Sequence, residues 1–284
     1  MPSYENFFTF EYWQYEVIRH MFGMTSAAFF AGLAYFVLST RRVLPRFRLS
    51  LNISAVIMAS AFIALTMLMI QWATSFTFDA GTQTFSLADE KVFSNGYRYV
   101  NWIVTVPLLL TQFLLTLGFR KAEFFKRLWP IVIAAELMLI TGYIGQYSDG
   151  VVAGFLPGDG MGFWLWGGIS WLFFFFMLYQ VFLAYNVGKA TFSDAAQSQL
   201  KWAWVIILVT WFTYGFAYMI PGIPGINEST DWVVIRQIAY TFADVFSKAV
   251  FGVVLCRVAM LQSQVEDPRY TDGEPELALA AKAK

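Results

Sequence analysis

Apolar residues along this 284-residue chain fall into long runs separated by short polar links. A helix needs roughly 20 apolar residues to cross the hydrocarbon core of a bilayer. Seven stretches reach that length, at 12–39, 50–76, 97–118, 128–147, 160–187, 198–220 and 230–262. The pattern predicts an all-α membrane protein, a seven-transmembrane-helix bundle occupying residues 1–265 with little chain left for loops. The first stretch is too long for a signal-peptide core, and no small-residue cleavage site follows it. Between spans two and three, Ser75 to Asn95 alternates Thr, Phe and polar residues around Asp79-Ala80-Gly81, which predicts a hairpin. The run from Pro221 to Gly225 stops span six. Residues 266–284 are polar, contain Gly and Pro, and are expected to form a disordered cytoplasmic tail.

The polar links also set an orientation. Arg41, Arg42, Arg46 and Arg48 follow span one. Arg120, Lys121, Lys126 and Arg127 follow span three, and Lys189 and Lys201 follow span five. The opposite links carry Lys91 and Arg98 after span two and only Asp149 and Asp159 after span four. Basic residues gather on the cytoplasmic side, so the N-terminus is expected outside and the C-terminus inside a multi-pass protein of the cell (plasma) membrane.

Composition narrows the function classes. Residues are 58% hydrophobic and 13% charged, where a soluble domain runs roughly 45–50% and about 25%. That excludes a soluble enzyme and a disordered chain. The formal net charge is zero, so no nucleic-acid surface is indicated. One cysteine, Cys256, and one histidine, His20, leave neither a disulfide framework nor a Cys/His metal site.

Ionisable groups inside spans are costly and are candidates for function. The main ones are Arg98, Glu136, Asp244 and Lys248, while Arg19, His20 and Arg236 lie near span ends, within reach of the interface. Lys248 sits in the middle of AYTFADVFSKAVFGVVL, too deep to snorkel easily. Asp244 is one helical turn earlier on the same face. From the residues alone this is either a structural ion pair or a lysine that forms a Schiff base with a carbonyl cofactor, balanced by Asp244. On span three, Arg98, Asn101, Thr105 and Gln112 form one polar stripe, which either bonds to neighbouring helices or lines a solute path.

Four segments, RYVNWIVTVPLLL in span three, ITGYIG in span four, WFTYGFAY in span six and DVFSK in span seven, resemble the microbial rhodopsins, and the resemblance covers nearly the whole chain. It implies a light-driven retinal protein rather than an enzyme, with all-trans retinal bound to Lys248 as a Schiff base and Asp244 as counter-ion. It also implies a retinal pocket formed by Trp102, Met138, Gly142, Ser170, Trp211, Tyr214 and Tyr218, aromatic walls that suit a rigid polyene. One departure is Gly215, where the family usually has Pro immediately after the tyrosine matched by Tyr214; glycine removes that kink.

Within the family, three span-three positions divide the pumps. Outward proton pumps usually have carboxylates at the first and third, and sodium pumps typically read Asn, Asp, Gln. Here Asn101, Thr105 and Gln112 look like a bacterial group of light-driven chloride pumps. The charges agree: a protonated Schiff base and Arg98 outweigh Asp244 by one positive charge, which favours a small anion held by Asn101 and Thr105. The expected partner is chloride, or another halide or nitrate, entering past Arg98 and leaving past Gln112, with Ser60 of span two also facing the path. The resemblance further suggests a homo-oligomer with a subunit contact near His20. A sodium or proton pump of the same fold and a sensory rhodopsin are the alternatives.

Overall fold

The computed structural model describes residues 3–147 and 161–270. Asp149 and Asp159 lie outside the described residues, as does the part of the expected tail beyond Tyr270. Among the described residues, six helices are long and apolar enough to cross a membrane. They are α1 (Tyr12–Ser39), α2 (Pro45–Ser75), α3 (Gly96–Thr116), α4 (Lys121–Gln146), α5 (Met161–Gly188) and α6 (Asp194–Met219). The seventh pass is α7 (Thr230–Asp244), a π-helical turn (Val245–Val250) and α8 (Phe251–Glu266), running on without a break.

Local sequence explains most helix ends. A capping box starts α1, where the Glu11 backbone N–H donates to Gln14 Oε1 at 3.0 Å and the Glu11 side chain accepts in return. Pro45 opens α2, where its missing N–H costs nothing. Helices α2, α4 and α6 begin several residues before the expected spans, because the Arg- and Lys-rich links continue the helices beyond the apolar runs. Pro107 and Pro130 stand inside α3 and α4, and Thr111 Oγ1 donates to the Pro107 carbonyl at 2.7 Å. Such breaks are tolerated in membrane helices where side chains re-satisfy the backbone. Beyond α8, Pro268–Tyr270 forms a 3-10 turn and Tyr270 is buried.

The expected hairpin is present as β2 (Phe76–Asp79) and β3 (Thr84–Leu87), with Phe78 opposite Phe85. A short strand β1 (Phe10–Glu11) adds to the far edge of β3. The Gly81 N–H donates to Asp79 Oδ1 at 2.8 Å and holds that exposed carboxyl below the usual carboxylate range. Tyr15 of α1 stacks on Phe85 at 3.7 Å, fastening the sheet to the bundle. A 3-10 turn at Tyr4–Phe7 packs over the same end. Asn6 bridges the Phe93 backbone, donating to its carbonyl at 2.8 Å and accepting from its N–H at 2.7 Å. The N-terminal segment thus plugs one end of the bundle, and the plug positions a charged residue that no apolar span contains.

Candidate functional site: a buried lysine, its carboxylate and an aromatic cavity

The 3.6-residue period of α3 turns Arg98, Asn101, Trp102, Thr105 and Gln112 inward, and all five are buried. The facing side of the seventh pass buries Gln237, Thr241 and Asp244, then Ser247 and Lys248 in the π turn. Asp244 is the hub. Its Oδ2 accepts from Arg98 Nη1 at 2.6 Å. Its Oδ1 accepts from Trp102 Nε1 at 3.0 Å, from the Tyr214 hydroxyl at 2.8 Å and from Lys248 Nζ in direct contact. Donors from α3, α6 and the π turn therefore converge on one carboxylate. Tyr214 also meets Ser247 Oγ at 3.0 Å. A π turn in a helix often marks a functional position, and here it carries the lysine.

Arg98 extends the network toward the N-terminal plug. Its Nη2 donates to Gln237 Oε1 at 3.1 Å and to Thr241 Oγ1 at 2.9 Å. Gln237 Nε2 then donates to Glu5 Oε1 at 2.6 Å, and the same oxygen accepts from Arg236 Nη1 at 2.6 Å and from Asn95 Nδ2 at 2.8 Å. An unbroken chain of polar contacts thus runs from Lys248 through Asp244, Arg98 and Gln237 to Glu5 and Arg236. Arg236 is not an interfacial residue as its place near a span end suggested; it is turned inward and buried. Glu5 is the residue that sequence reasoning missed. It lies outside every span, and no pattern along the chain points to it.

Asn101 Nδ2 and Arg98 Nε have no partner among the described residues, nor have the Tyr240 hydroxyl and Glu5 Oε2. Thr105 Oγ1 lies 2.8 Å from the Asn101 carbonyl and 3.0 Å from Asn101 Oδ1, which leaves the Asn101 amide nitrogen open. Gln112 lies two turns further along α3, where Ser50 of α2 donates to its carbonyl at 3.3 Å. Ser60 is half-buried on α2 and hydrogen-bonds to no described residue, so the network around Asp244 does not include it. His20 is exposed on α1 beside Glu16, at 3.3 Å, and Glu136 is half-buried on α4 without an ion-pair partner among the described residues.

A cavity adjoins Lys248. Trp102, Met138, Gly142, Ser170, Trp211, Tyr214 and Tyr218 all line it, together with residues not singled out beforehand such as Tyr99, Trp171 and Tyr240. Small-molecule cavities have apolar walls and few polar groups, as this one does. Ser170 Oγ is tied to the Met138 carbonyl at 2.8 Å, and Tyr218 stacks on Phe163 at 4.7 Å, so the walls are held from behind. The one primary amine on its wall is Lys248, a group able to condense with a carbonyl compound.

Residues 16–262 match the family model described as bacteriorhodopsin-like protein. The green-light absorbing proteorhodopsin of Gamma-proteobacterium EBAC31A08 is 26% identical over 248 residues, covering 85% of this chain and 86% of the relative. Among solved structures, that of xanthorhodopsin, described as a light-driven ion pump with dual chromophore, superposes with a TM-score of 0.81 at 30% identity, covering 91% of this chain and 98% of that one. A thermophilic rhodopsin gives 0.80 at 28% identity over the same shares. The chain therefore belongs to the bacteriorhodopsin-like family, the microbial rhodopsins, which are multi-pass membrane proteins that bind retinal and act as light-driven ion pumps rather than enzymes.

Proposed function

We propose that this rhodopsin is a light-driven inward chloride pump, with its N-terminus outside and its C-terminus in the cytoplasm. One observation carries the reading. The buried charged residues among those described are Arg98, Arg236 and Lys248 against Glu5 and Asp244, so the bundle interior holds one positive charge in excess. Excess charge in a low-dielectric interior is costly unless a counter-ion joins it. The unpartnered donors Asn101 Nδ2 and Arg98 Nε lie beside that excess, on the face of α3 that looks toward Asp244.

Lys248 holds retinal, Asp244 is the counter-ion, and the seven cavity residues named above form the pocket. When bound, retinal supplies the light-driven isomerisation that changes the field at the Lys248 nitrogen. The remaining work belongs to side chains. Asn101 donates its free amide hydrogen to the anion, and the Thr105 hydroxyl turns from Asn101 to donate as well. Arg98, clamped by Asp244, Gln237 and Thr241, keeps positive charge fixed on the outer side. Gln112 offers the next amide on the inner side, and the unengaged hydroxyl of Ser60 serves the same path. No carboxylate stands at positions 101, 105 or 112 to take or resupply a proton, and a cation would meet the positive excess. Donors of this kind select charge more than identity, so other halides and nitrate are accepted too. His20 beside Glu16 marks the subunit contact of a homo-oligomer.

The test is a chloride titration of the purified pigment equilibrated in sulfate. An anion near the lysine nitrogen localises positive charge there and raises the excitation energy, so the visible band shifts to the blue. A spectrum indifferent to chloride up to molar concentration overturns the site.

A further inference from the structure

We infer that Trp171 is the positioning residue that sets the size limit at the end of the cavity remote from Lys248, and that Gly215 is the gap that lets it stand there. The inference rests on retinal occupying this cavity and is independent of which ion is moved. Gly215 lies in the interior of α6, where glycine weakens a helix relative to alanine. Its backbone is not in the left-handed region, so no turn requires it. Its neighbour does: a Cβ built on Gly215 would lie 2.5 Å from Trp171 Cζ2 and 2.7 Å from Cη2. Atoms that close cannot coexist, so the indole occupies the volume of the absent side chain.

The indole has little room to retreat. Phe174 meets it edge-on at 5.2 Å, and Phe175 and Phe212 lie tilted against it at 5.4 and 6.0 Å. Phe175 and Phe216, which flank it, are exposed on the outer surface of the bundle, whereas Trp171 and Gly215 both line the cavity. One ring therefore separates the cavity from the bilayer between α5 and α6. Helix α5 packs on α4 and meets α6 through rings such as Trp171 and Phe212, while the side chains hydrogen-bonded to Lys248 are Tyr214 of α6 and Asp244 of α7, so this wall faces the end of the ligand that is not attached to Lys248. A rigid wall at that end admits a ring of limited size and rejects a larger one.

The experiment uses retinal-free protein in lipid nanodiscs, mixed with all-trans retinal or with an analogue whose terminal ring is replaced by a naphthyl group. The readout is the ratio of pigment formed with the analogue to pigment formed with retinal. Trp171→Ala raises this ratio about tenfold or more, since each carbon that a pocket excludes is worth at least that much in selectivity. Gly215→Ala lowers the melting temperature of the retinal-free protein, and Gly215→Ala combined with Trp171→Ala recovers it. Trp171→Phe withdraws the two ring carbons that face Gly215 while keeping an aromatic packed between the helices; it gives an intermediate ratio and serves if the alanine variant does not fold. An unchanged ratio in either Trp171 variant, or a Gly215→Ala protein that melts like wild type, overturns the inference. A wild-type protein that stays colourless with retinal instead faults the cavity assignment itself.

Discussion

Replacing Asn101 by Asp changes the charge at the proposed anion site with almost no change in volume. In the structure Asn101 Oδ1 is 3.0 Å from Thr105 Oγ1, and Nδ2 has no partner. Aspartate keeps the acceptor and replaces the open donor with a second oxygen. Once ionised it cancels the positive excess left by Arg98, Arg236 and Lys248 over Glu5 and Asp244. A chloride about 4 Å from that carboxylate is repelled by about 4 kcal/mol at an effective dielectric of about 20. At about 1.4 kcal/mol per decade, affinity falls roughly a thousandfold, before counting the lost amide donor. Thr105→Ala makes the contrast: it leaves the charge balance intact and removes one hydroxyl worth about 1.5–3 kcal/mol to an ion, a ten- to hundredfold weakening that high chloride overcomes. The assay is the chloride-dependent band shift across pH. With Asn101→Asp the shift is absent where the introduced carboxylate is ionised and returns as acid protonates it. An Asn101→Asp pigment that binds chloride with wild-type affinity at neutral pH refutes the placement of the anion.

Lys248→Ala removes the primary amine on the cavity wall and yields a protein that stays colourless when retinal is added; a normal visible pigment in that variant contradicts the assignment. Glu5→Ala leaves Arg236 buried without its carboxylate, a loss of about 3–5 kcal/mol for a broken buried pair. At about 2–4 °C per kcal/mol for a chain of about this size, the pigment melts of order 10 °C lower. A melting temperature unchanged by Glu5→Ala would show that the N-terminal plug is not held by this pair.

The seven passes were legible because spanning a bilayer fixes both length and polarity, and six runs need no other signal. Lys248 and Asp244 were legible because a charge in mid-span is expensive and the two are one turn apart. Trp102 and Tyr214 were reached through resemblance; without it they read as core aromatics. What stayed hidden depends on contacts far apart in sequence. Glu5 meets Arg236 across 231 positions, and no local period announces that pairing. The position of Arg236 along its span does not say which way its long side chain turns. Gly215 shows in the sequence only as the loss of a kink, while the indole that fills its place comes from another helix, 44 residues away by sequence number. Ser60 illustrates the opposite limit: α2 is apolar nearly all round, so its inward face could not be phased from sequence.

The central claim, that light drives chloride inward, is tested most directly by the pH of an illuminated suspension of cells expressing the protein in sodium chloride, with and without a protonophore. Inward chloride makes the interior more negative and draws protons in passively. The account predicts that the medium turns alkaline, that a protonophore enhances the change, and that replacing chloride with sulfate abolishes it. Acidification of the medium that a protonophore abolishes would contradict it and identify an outward proton pump.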